Sequence, residues 1–337
     1  MRAFVVTAAG EAGVCEVAPP VAAPGQVVVD VERVGVCGTD VEFFTGQMQY
    51  LHEGHAQFPM RLGHEWSGTV AAVGEGVDGG WVGRRVTGDT MLGCRSCRRC
   101  RSGHQHVCAD RFEVGIRGGF PGALAEQLAM PVTALHVLPD HVDAALGALV
   151  EPGGNALRSV WGAGLSAGDR VLVMGPGTIG LLVALIAAAQ GAEVHLLGRS
   201  ARSREYAATL GFAGVWASDD LPDLPFDAVV DASNAPSLPA RALELVEPGR
   251  RVVYVGLAGS PSTVDTRTLA LKDVTAVGIL SGSPGLAGAV QLYASGAVDP
   301  RPLVAATVGL DGVAAILAGE RPAGAGPGPK IHVDPRT

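Results

Sequence analysis

Four cysteines lie close together in one stretch of the sequence, at spacings that suit a metal ion. They are Cys94, Cys97, Cys100 and Cys108, in the pattern C-x2-C-x2-C-x7-C. Two-residue gaps let a tight turn direct neighbouring thiolates at one point, and tetrahedral zinc takes four such ligands. The stretch therefore predicts a structural zinc site. A pair of disulfides and incidental cysteines are the alternatives, but nothing else in the sequence indicates an oxidising compartment.

A second group of possible metal ligands is dispersed along the chain. Cys37 follows an apolar run, His64 and Glu65 are adjacent, and Glu151 lies near a change in sequence character. Thiolate, imidazole and carboxylate together make a zinc site with room for water or substrate. Each residue alone is weak evidence, because a lone cysteine is usually a small buried core residue. A His-Glu pair is likewise usually a surface feature or part of the core.

A glycine motif follows the apolar run 170–174. Gly175, Gly177 and Gly180 match the pattern G-x-G-x-x-G, with Thr178 and Ile179 between them, and a helix-like stretch comes next. The first glycine permits a tight turn, the second lets the backbone approach a pyrophosphate, and the third allows close packing of helix and strand. The helix N-terminus then offers N–H groups to the phosphates. The motif predicts a dinucleotide site.

The next apolar strand ends in residues that indicate which dinucleotide binds. It reads Leu-Leu-Gly-Arg-Ser over 196–200, with Arg202 and Arg204 close behind. An NAD site usually carries Asp or Glu here for the ribose 2′-hydroxyl. Arg199, Ser200 and Arg204 would instead suit a 2′-phosphate. The sequence favours NADP; the alternative is a solvated arginine beside NAD.

The elements that must position these residues divide the chain into parts. Its 337 residues suggest about two domains. Short strands with glycine and proline breaks fill the first part, whereas strands alternate with helices beyond about residue 140, which is typical of βαβ units in a parallel sheet. The tail returns to short elements. We predict domain segments 1–145, 146–282 and 283–337 in an α/β protein, the last segment rejoining the first.

Taken in order, these motifs resemble the zinc-dependent medium-chain dehydrogenase/reductase superfamily, which includes alcohol, sorbitol, threonine and glucose dehydrogenases. The resemblance rests on Gly35–Asp40, Gly63–Gly68, the four-cysteine loop, Glu151-Pro152 and Gly175–Gly180. It covers essentially the whole chain. It implies a GroES-like, β-rich catalytic domain that holds a catalytic and a structural zinc. A Rossmann domain with a doubly wound parallel sheet would interrupt that domain and bind the nicotinamide cofactor.

The resemblance also assigns roles to residues. Cys37, His64 and Glu65 look like ligands of the catalytic zinc, and Glu151 is similar to a carboxylate that ligates or approaches it. The four cysteines match the structural zinc loop.

Asp40 would orient His64, and Thr39 would accept the proton of the substrate hydroxyl. Relatives often have His at the position of Glu42, so Glu42 is either a proton relay or a solvated charge. Gly153, Gly154 and Asn155 are expected to open space near the zinc or to place an amide on the substrate.

Composition and charge restrict the partners. The formal charge of -8 argues against nucleic acid or an anionic membrane as the main partner. The N-terminus lacks a signal-peptide pattern and no apolar run could span a bilayer, so we expect a cytoplasmic protein. The resemblance implies a small-molecule secondary alcohol or carbonyl as substrate, and a homodimer or homotetramer. Alternatives are an NAD-specific enzyme, a carbonyl reductase and a non-catalytic nucleotide-binding member of the family.

Overall fold

A computed structural model describes all residues, 1–337, and its first part is β-rich. The elements of this part are β1 (Arg2–Ala8), β2 (Glu11–Glu16), β3 (Gln26–Val36), α1 (Gly38–Phe44), α2 (Gln49–His52), β4 (Glu65–Val73), β5 (Arg85–Gly88), β6 (Met91–Leu92), α3 (Arg98–Arg101), β7 (Phe112–Glu113), β8 (Gln127–Pro131) and β9 (Leu135–Val137). The short strands follow from the frequent glycine and proline breaks.

The second part alternates helices and strands before the chain returns to the first sheet. Its elements are α4 (Ala144–Ala148), α5 (Val150–Ala163), β10 (Arg170–Met174), α6 (Thr178–Ala189), β11 (Glu193–Leu197), α7 (Ala201–Ala208), β12 (Gly214–Trp216), β13 (Phe226–Asp231), α8 (Leu238–Leu245), β14 (Val246–Tyr254), α9 (Thr266–Leu271), β15 (Thr275–Gly278) and α10 (Leu286–Ala294). The chain ends with β16 (Val304–Val308), α11 (Val313–Leu317) and β17 (Lys330–Val333).

Two large sheets organise these elements. The catalytic sheet runs β16-β17-β3-β4-β5-β9, and β8 also pairs with β3. The other sheet is parallel and runs β12-β11-β10-β13-β14-β15, so the strand order reverses beside β10. Ligands of doubly wound sheets bind at such a reversal, outside the carboxyl ends of the strands. The expected α/β architecture, with a GroES-like part and a Rossmann part, is confirmed.

Each sheet has its own core. Phe4, Trp66 and Leu128 are among the buried side chains of the catalytic core, whereas Val173 and Leu182 belong to the Rossmann core. The Rossmann core also includes residues of α5 and α10, and the catalytic sheet resumes only at β16. The segment boundaries near 145 and 282 stay a prediction.

Local differences from the sequence-based expectations have physical causes. The small and apolar residues over 142–163 predict one continuous helix, but the structure has two helices that meet at Leu149. The apolar run over 123–131 predicts one strand, but β8 begins only at Gln127. The preceding backbone bonds to other segments instead: Ala123 N–H, for example, donates to Gly63 O. The sequence does not predict helix α7, because its residues are mostly polar and show no clear apolar face.

Candidate active site

Two strand ends bring the dispersed ligands together. Cys37 directly follows β3 and caps α1, while His64 directly precedes β4, the antiparallel neighbour of β3. Cys37 Sγ lies 3.2 Å from His64 Nε2. Donor atoms of Cys37, His64 and Glu65 all lie within 4.8 Å of one another. Zinc bonds of about 2.3 Å to sulfur and about 2.0 Å to nitrogen would separate two tetrahedral ligands by about 3.5 Å. The three side chains therefore fit a zinc ion.

Asp40 contacts the backbone and ring groups that position Cys37 and His64. Its Oδ2 accepts the backbone N–H of Cys37 at 2.9 Å, and its Oδ1 accepts that of Gly63 at 3.3 Å. The same Oδ1 lies 3.8 Å from His64 Nδ1, on the ring side opposite Cys37. A carboxylate behind a histidine fixes which ring nitrogen faces a metal. The position of Asp40 supports the orienting role that the sequence predicted.

The electrostatics of the site favour a cation. Burial alone would lower the pKa of His64, but the Cys37 sulfur and the carboxylates of Asp40 and Glu151 outweigh burial and raise it. Burial and the nearby Asp40 charge raise the pKa of the Cys37 thiol. Negative charge thus accumulates around one buried imidazole. A divalent ion would relieve this repulsion, as is usual for thiolate and imidazole ligand sets.

A buried lysine holds one oxygen of Glu65. Lys330 Nζ lies 2.6 Å from Glu65 Oε2 and donates to Val36 O at 3.0 Å. Both side chains are buried, and the Glu65 charge raises the pKa of Lys330 against the opposing effect of burial. A Cβ on Gly35 would lie 2.2 Å from the same oxygen, so the glycine makes room for the carboxylate. Glu65 Oε1 makes no hydrogen bond within the protein and stays available to a metal.

Sequence reasoning missed Lys330, although a signal was present. The chain has only two lysines, Lys272 and Lys330, and the second alternates with Ile331 and Val333 in a strand. Lysine is rarely buried without a partner. A lone lysine in an apolar strand therefore pointed to a buried carboxylate elsewhere in the chain.

Glu151 lies beside the three donors rather than among them. It sits in the first turn of α5, is buried, and accepts Asn155 Nδ2 at 3.0 Å through Oε1. Burial raises its pKa to about 7, with His64 acting in the lowering direction and Glu65 in the raising direction. A carboxyl that titrates near neutrality can approach a metal or exchange a proton. The structure places Glu151 close enough to influence the pKa of His64, and its role as a zinc ligand stays a prediction.

The glycines after Glu151 do not open space, contrary to the expectation. A Cβ on Gly153 would lie 2.1 Å from Tyr293 Oη, and one on Gly154 would lie 2.7 Å from Gly282 O. Both positions are filled by residues that pack against α5. Asn155 bonds to Glu151 as described, which occupies its amide N–H group. The glycines thus allow close packing.

The predicted proton path begins beside the metal ligands. Thr39 lies on α1, two residues after Cys37, and is partly buried. Glu42 follows one turn later, and residues three apart share a helix face. Glu42 is exposed, but partial desolvation of its carboxyl raises its pKa. The role of the pair as a proton path stays a prediction.

The four-cysteine loop fits a second, closed zinc site. Cys94 Sγ lies 4.0 Å from Cys100 Sγ, and Cys97 Sγ lies 3.8 Å from Cys108 Sγ. Tetrahedral Zn–S bonds of about 2.3 Å give an S···S separation of about 3.8 Å. All four cysteines are unbridged. The Ser96 hydroxyl and the Cys97 N–H lower the pKa of Cys94 to about 6, whereas desolvation raises the pKa of the neighbouring Cys100 to about 12.

The dinucleotide motif has the expected geometry. Gly175 has φ 98°, and a Cβ on Gly180 would lie 2.0 Å from Gly175 O, so these two positions require glycine. Helix α6 begins at Thr178, next to Ile179, and the Gly177 N-cap gives no side-chain hydrogen bond. The first N–H groups of α6 are therefore open to phosphate.

The residues predicted for the ribose end fall into two groups. Ser200 caps α7 by accepting the N–H of Ser203 at 3.2 Å. Arg204 braces the turn by donating to Gly198 O at 3.0 Å and Arg199 O at 2.8 Å. The side chain of Arg199 is exposed and makes no hydrogen bond or ion pair. Arg199 thus keeps all of its side-chain donors free for a ligand.

None of the helices combines the length and the apolar character that crossing a membrane requires.

Comparisons with known proteins agree with this geometry. Residues 23–140 match the family model "Alcohol dehydrogenase GroES-like domain", and residues 178–295 match "Zinc-binding dehydrogenase". A 2-dehydro-3-deoxy-L-galactonate 5-dehydrogenase from Pseudoalteromonas atlantica is 33% identical over 83% of this chain and 83% of the relative. An L-threonine 3-dehydrogenase from Idiomarina loihiensis is 30% identical over 78% of this chain and 79% of the relative.

A solved structure extends the similarity to three dimensions. Alcohol dehydrogenase TADH from Thermus sp. ATN1 superposes with a TM-score of 0.88 at 27% identity, covering 99% of both chains. The two family models match in the expected order, and the alignments with dehydrogenases are long. The geometry of the ligand groups also fits zinc. The chain belongs to the zinc-dependent medium-chain dehydrogenase/reductase superfamily and is a zinc- and NAD(P)-dependent dehydrogenase of the alcohol and polyol type.

Proposed function

We propose that the protein transfers a hydride between NADP and a secondary hydroxyl of a polyol, sugar, cyclitol or related polar metabolite. The observation that carries this proposal is the cluster of half-buried Cys37 with buried His64 and Glu65, with buried Glu151 alongside. The Glu151 carboxylate beside these ligands suits a substrate that brings several hydroxyl donors, because a buried acceptor favours a hydrogen-bonding partner. The two relatives described above are named for a sugar acid and a hydroxy amino acid, which are also polar.

Different residues of the chain bind the metal and transfer the proton. Cys37, His64 and Glu65 would hold zinc, which when bound supplies a Lewis acid that lowers the pKa of the substrate hydroxyl. Thr39 accepts the hydroxyl proton and Glu42 passes it to solvent. The carbinol hydrogen leaves with its electron pair for the nicotinamide ring bound by the Rossmann part. The alcohol becomes a ketone, and the cofactor is reduced.

Arg199 supports NADP as the preferred cofactor. It follows the end of β11 with free donors, and no carboxylate stands at positions 198–200. Arg199→Asp should reverse the preference by weakening NADP and admitting the NAD ribose. Arg267→Asp makes the same charge change at an exposed position of α9 and serves as the control. Faster initial rates with NAD in the unmodified protein would contradict the NADP proposal and leave the dehydrogenase assignment standing.

A substrate screen tests the proposed function directly. Nicotinamide absorbance would be followed across polyols, sugars, cyclitols and amino alcohols with NAD and with NADP, and with the ketones in the reverse direction. We expect turnover on a substrate with neighbouring hydroxyls. A preference for simple alkanols would contradict the substrate class. About one zinc per chain with no turnover would favour a non-catalytic nucleotide-binding protein.

We also propose that the protein assembles as a homodimer or homotetramer. Strand β15 forms one edge of the parallel sheet, and nearby Leu271 and Leu280 are exposed. An unpaired edge with apolar neighbours is a common pairing surface. Light scattering after size-exclusion chromatography would measure the mass, and a monomer at micromolar concentration would contradict the proposal.

A further inference from the structure

Asp89 lies buried where three parts of the molecule meet. It directly follows β5 and is 5% exposed. Its Oδ1 accepts the N–H of Met91 at 2.9 Å and the hydroxyl of Ser283 at 2.6 Å, while its Oδ2 accepts Gln105 Nε2 at 3.2 Å. Gln105 belongs to the cysteine loop, and Ser283 lies just beyond the last Rossmann strand. One carboxylate therefore connects the catalytic sheet, the cysteine loop and the Rossmann part, and it forms no ion pair.

The turn that Asp89 contacts is held in an unusual conformation. Ser281 has φ 71°, in the left-handed region that residues other than glycine seldom adopt. Its hydroxyl lies 2.9 Å from that of Ser283 and accepts the Ser283 N–H at 3.1 Å. Arg158 of α5 donates to Ser281 O at 2.5 Å. A strained turn persists only where surrounding contacts fix it, and Asp89 supplies one of these contacts from the other domain.

The same turn packs backbone to backbone against the start of α5. A Cβ on Gly282 would lie 2.5 Å from Glu151 O, and a Cβ on Gly285 would lie 2.3 Å from Gly154 O. No side chain separates the turn from the helix at these points. A shift of the turn would therefore move the first turn of α5, which carries Glu151.

Thr90, the residue after Asp89, contacts the backbone of a metal ligand. Thr90 Oγ1 donates to His64 O at 3.3 Å. Thr90 thus contacts the backbone of His64. Its neighbour Asp89 contacts Ser283, whose turn packs against the helix that carries Glu151. We propose that Asp89 is a positioning residue that sets the separation between Glu151 and the pair of Cys37 and His64. This inference rests on the proposed function, because it assigns Glu151 to the same metal site.

Removal of one hydroxyl tests the proposal. Ser283→Ala deletes the donor to Asp89 without adding volume. Ser295→Ala is the matched control, since its hydroxyl makes only local bonds from an exposed position after α10: it donates to Leu292 O at 3.1 Å and accepts the N–H of Ala297 at 3.4 Å. We expect Ser283→Ala to lower kcat about tenfold and to release the zinc held by Cys37 and His64 to a chelator several-fold faster. The zinc of the cysteine loop should be retained as in the unmodified protein.

A carboxylate-to-amide change separates positioning from simple stability. Asp89→Asn keeps an oxygen for Ser283 and should retain more activity and slower zinc release than Asp89→Ala at matched thermal stability. The proposal is overturned if Ser283→Ala matches Ser295→Ala in kcat and zinc release, or if the two Asp89 variants behave alike. If the unmodified protein oxidises no alcohol, the proposed function fails, yet the comparison of zinc release still decides the role of Asp89.

Discussion

The buried pair of Lys330 and Glu65 gives the sharpest test of the site's construction. Lys330→Met keeps an unbranched chain of similar length and removes the charge. The change deletes the 2.6 Å contact to Glu65 Oε2 and the 3.0 Å bond to Val36 O, and it leaves this buried carboxylate oxygen without its positively charged partner. The variant therefore examines whether this lysine neutralises the carboxylate.

The expected loss of stability follows from the unpaired charge. Removing one partner of a buried ion pair typically costs about 3–5 kcal/mol, because the remaining charge keeps its desolvation penalty. In a chain of this size about 2 °C of melting temperature corresponds to each kcal/mol, which gives a fall of about 6–10 °C. Loss of the cation also frees the Glu65 carboxylate to move, so we expect activity to fall.

The other lysine provides the control. Lys272 Nζ donates to Leu243 O at 3.1 Å and Glu244 O at 2.8 Å and forms no ion pair. Lys272→Met should cost about 1 kcal/mol, as expected for ordinary hydrogen bonds. Thermal unfolding followed by circular dichroism would compare the two variants. Equal losses would refute the argument that Lys330 neutralises a buried carboxylate.

Three further predictions concern the cysteine loop, a close contact and a buried histidine. Cys97→Ser should lose about one zinc per chain by metal analysis and unfold at lower temperature before it loses chemistry, since structural zinc supplies folding energy to its own loop; retention of both zinc ions would contradict this. Gly153→Ala should destabilise by about 1–3 kcal/mol in denaturant unfolding, because its Cβ would lie 2.1 Å from Tyr293 Oη; a variant as stable as the unmodified protein would show that Tyr293 can move. Burial, and then the charges of Lys330 and Arg33, lower the pKa of His332 from 6.5 to about 3. The unfolded chain then binds more protons than the folded one between about pH 3 and 6.5, so stability should fall as pH drops below about 6.5. His332→Leu should flatten this dependence in unfolding measured from pH 4 to 7, and an unchanged slope would contradict the cause.

The strongest sequence signals were those imposed by local geometry. Gly175 and Gly180 are required by a positive φ and a close approach, so their spacing by itself indicates the turn. The cysteine loop is similarly self-contained, because its ligands lie within one short segment. Both features were predictable from sequence alone.

Features that depend on pairing between distant segments were harder to predict. The convergence of Cys37, His64 and Glu65 was inferred from a family resemblance, since spacing alone does not show that β3 and β4 pair beside one another. Lys330 reaches Glu65 across 265 positions of sequence, and no local pattern names its partner. The expectation of open space at Gly153 was wrong for the same reason, because the residue that packs against it, Tyr293, lies on the distant helix α10.

The central claim is that the zinc site of Cys37, His64 and Glu65 takes part in the reaction, whereas the zinc site of the cysteine loop stabilises the fold. Zinc content and dehydrogenase activity measured together in His64→Ala and Cys97→Ser would test it most directly. We predict about two zinc ions in the unmodified protein and about one in each variant. His64→Ala should stay folded and lose turnover, whereas Cys97→Ser should lose stability first. A folded His64→Ala variant that keeps both zinc ions and full activity would contradict the account.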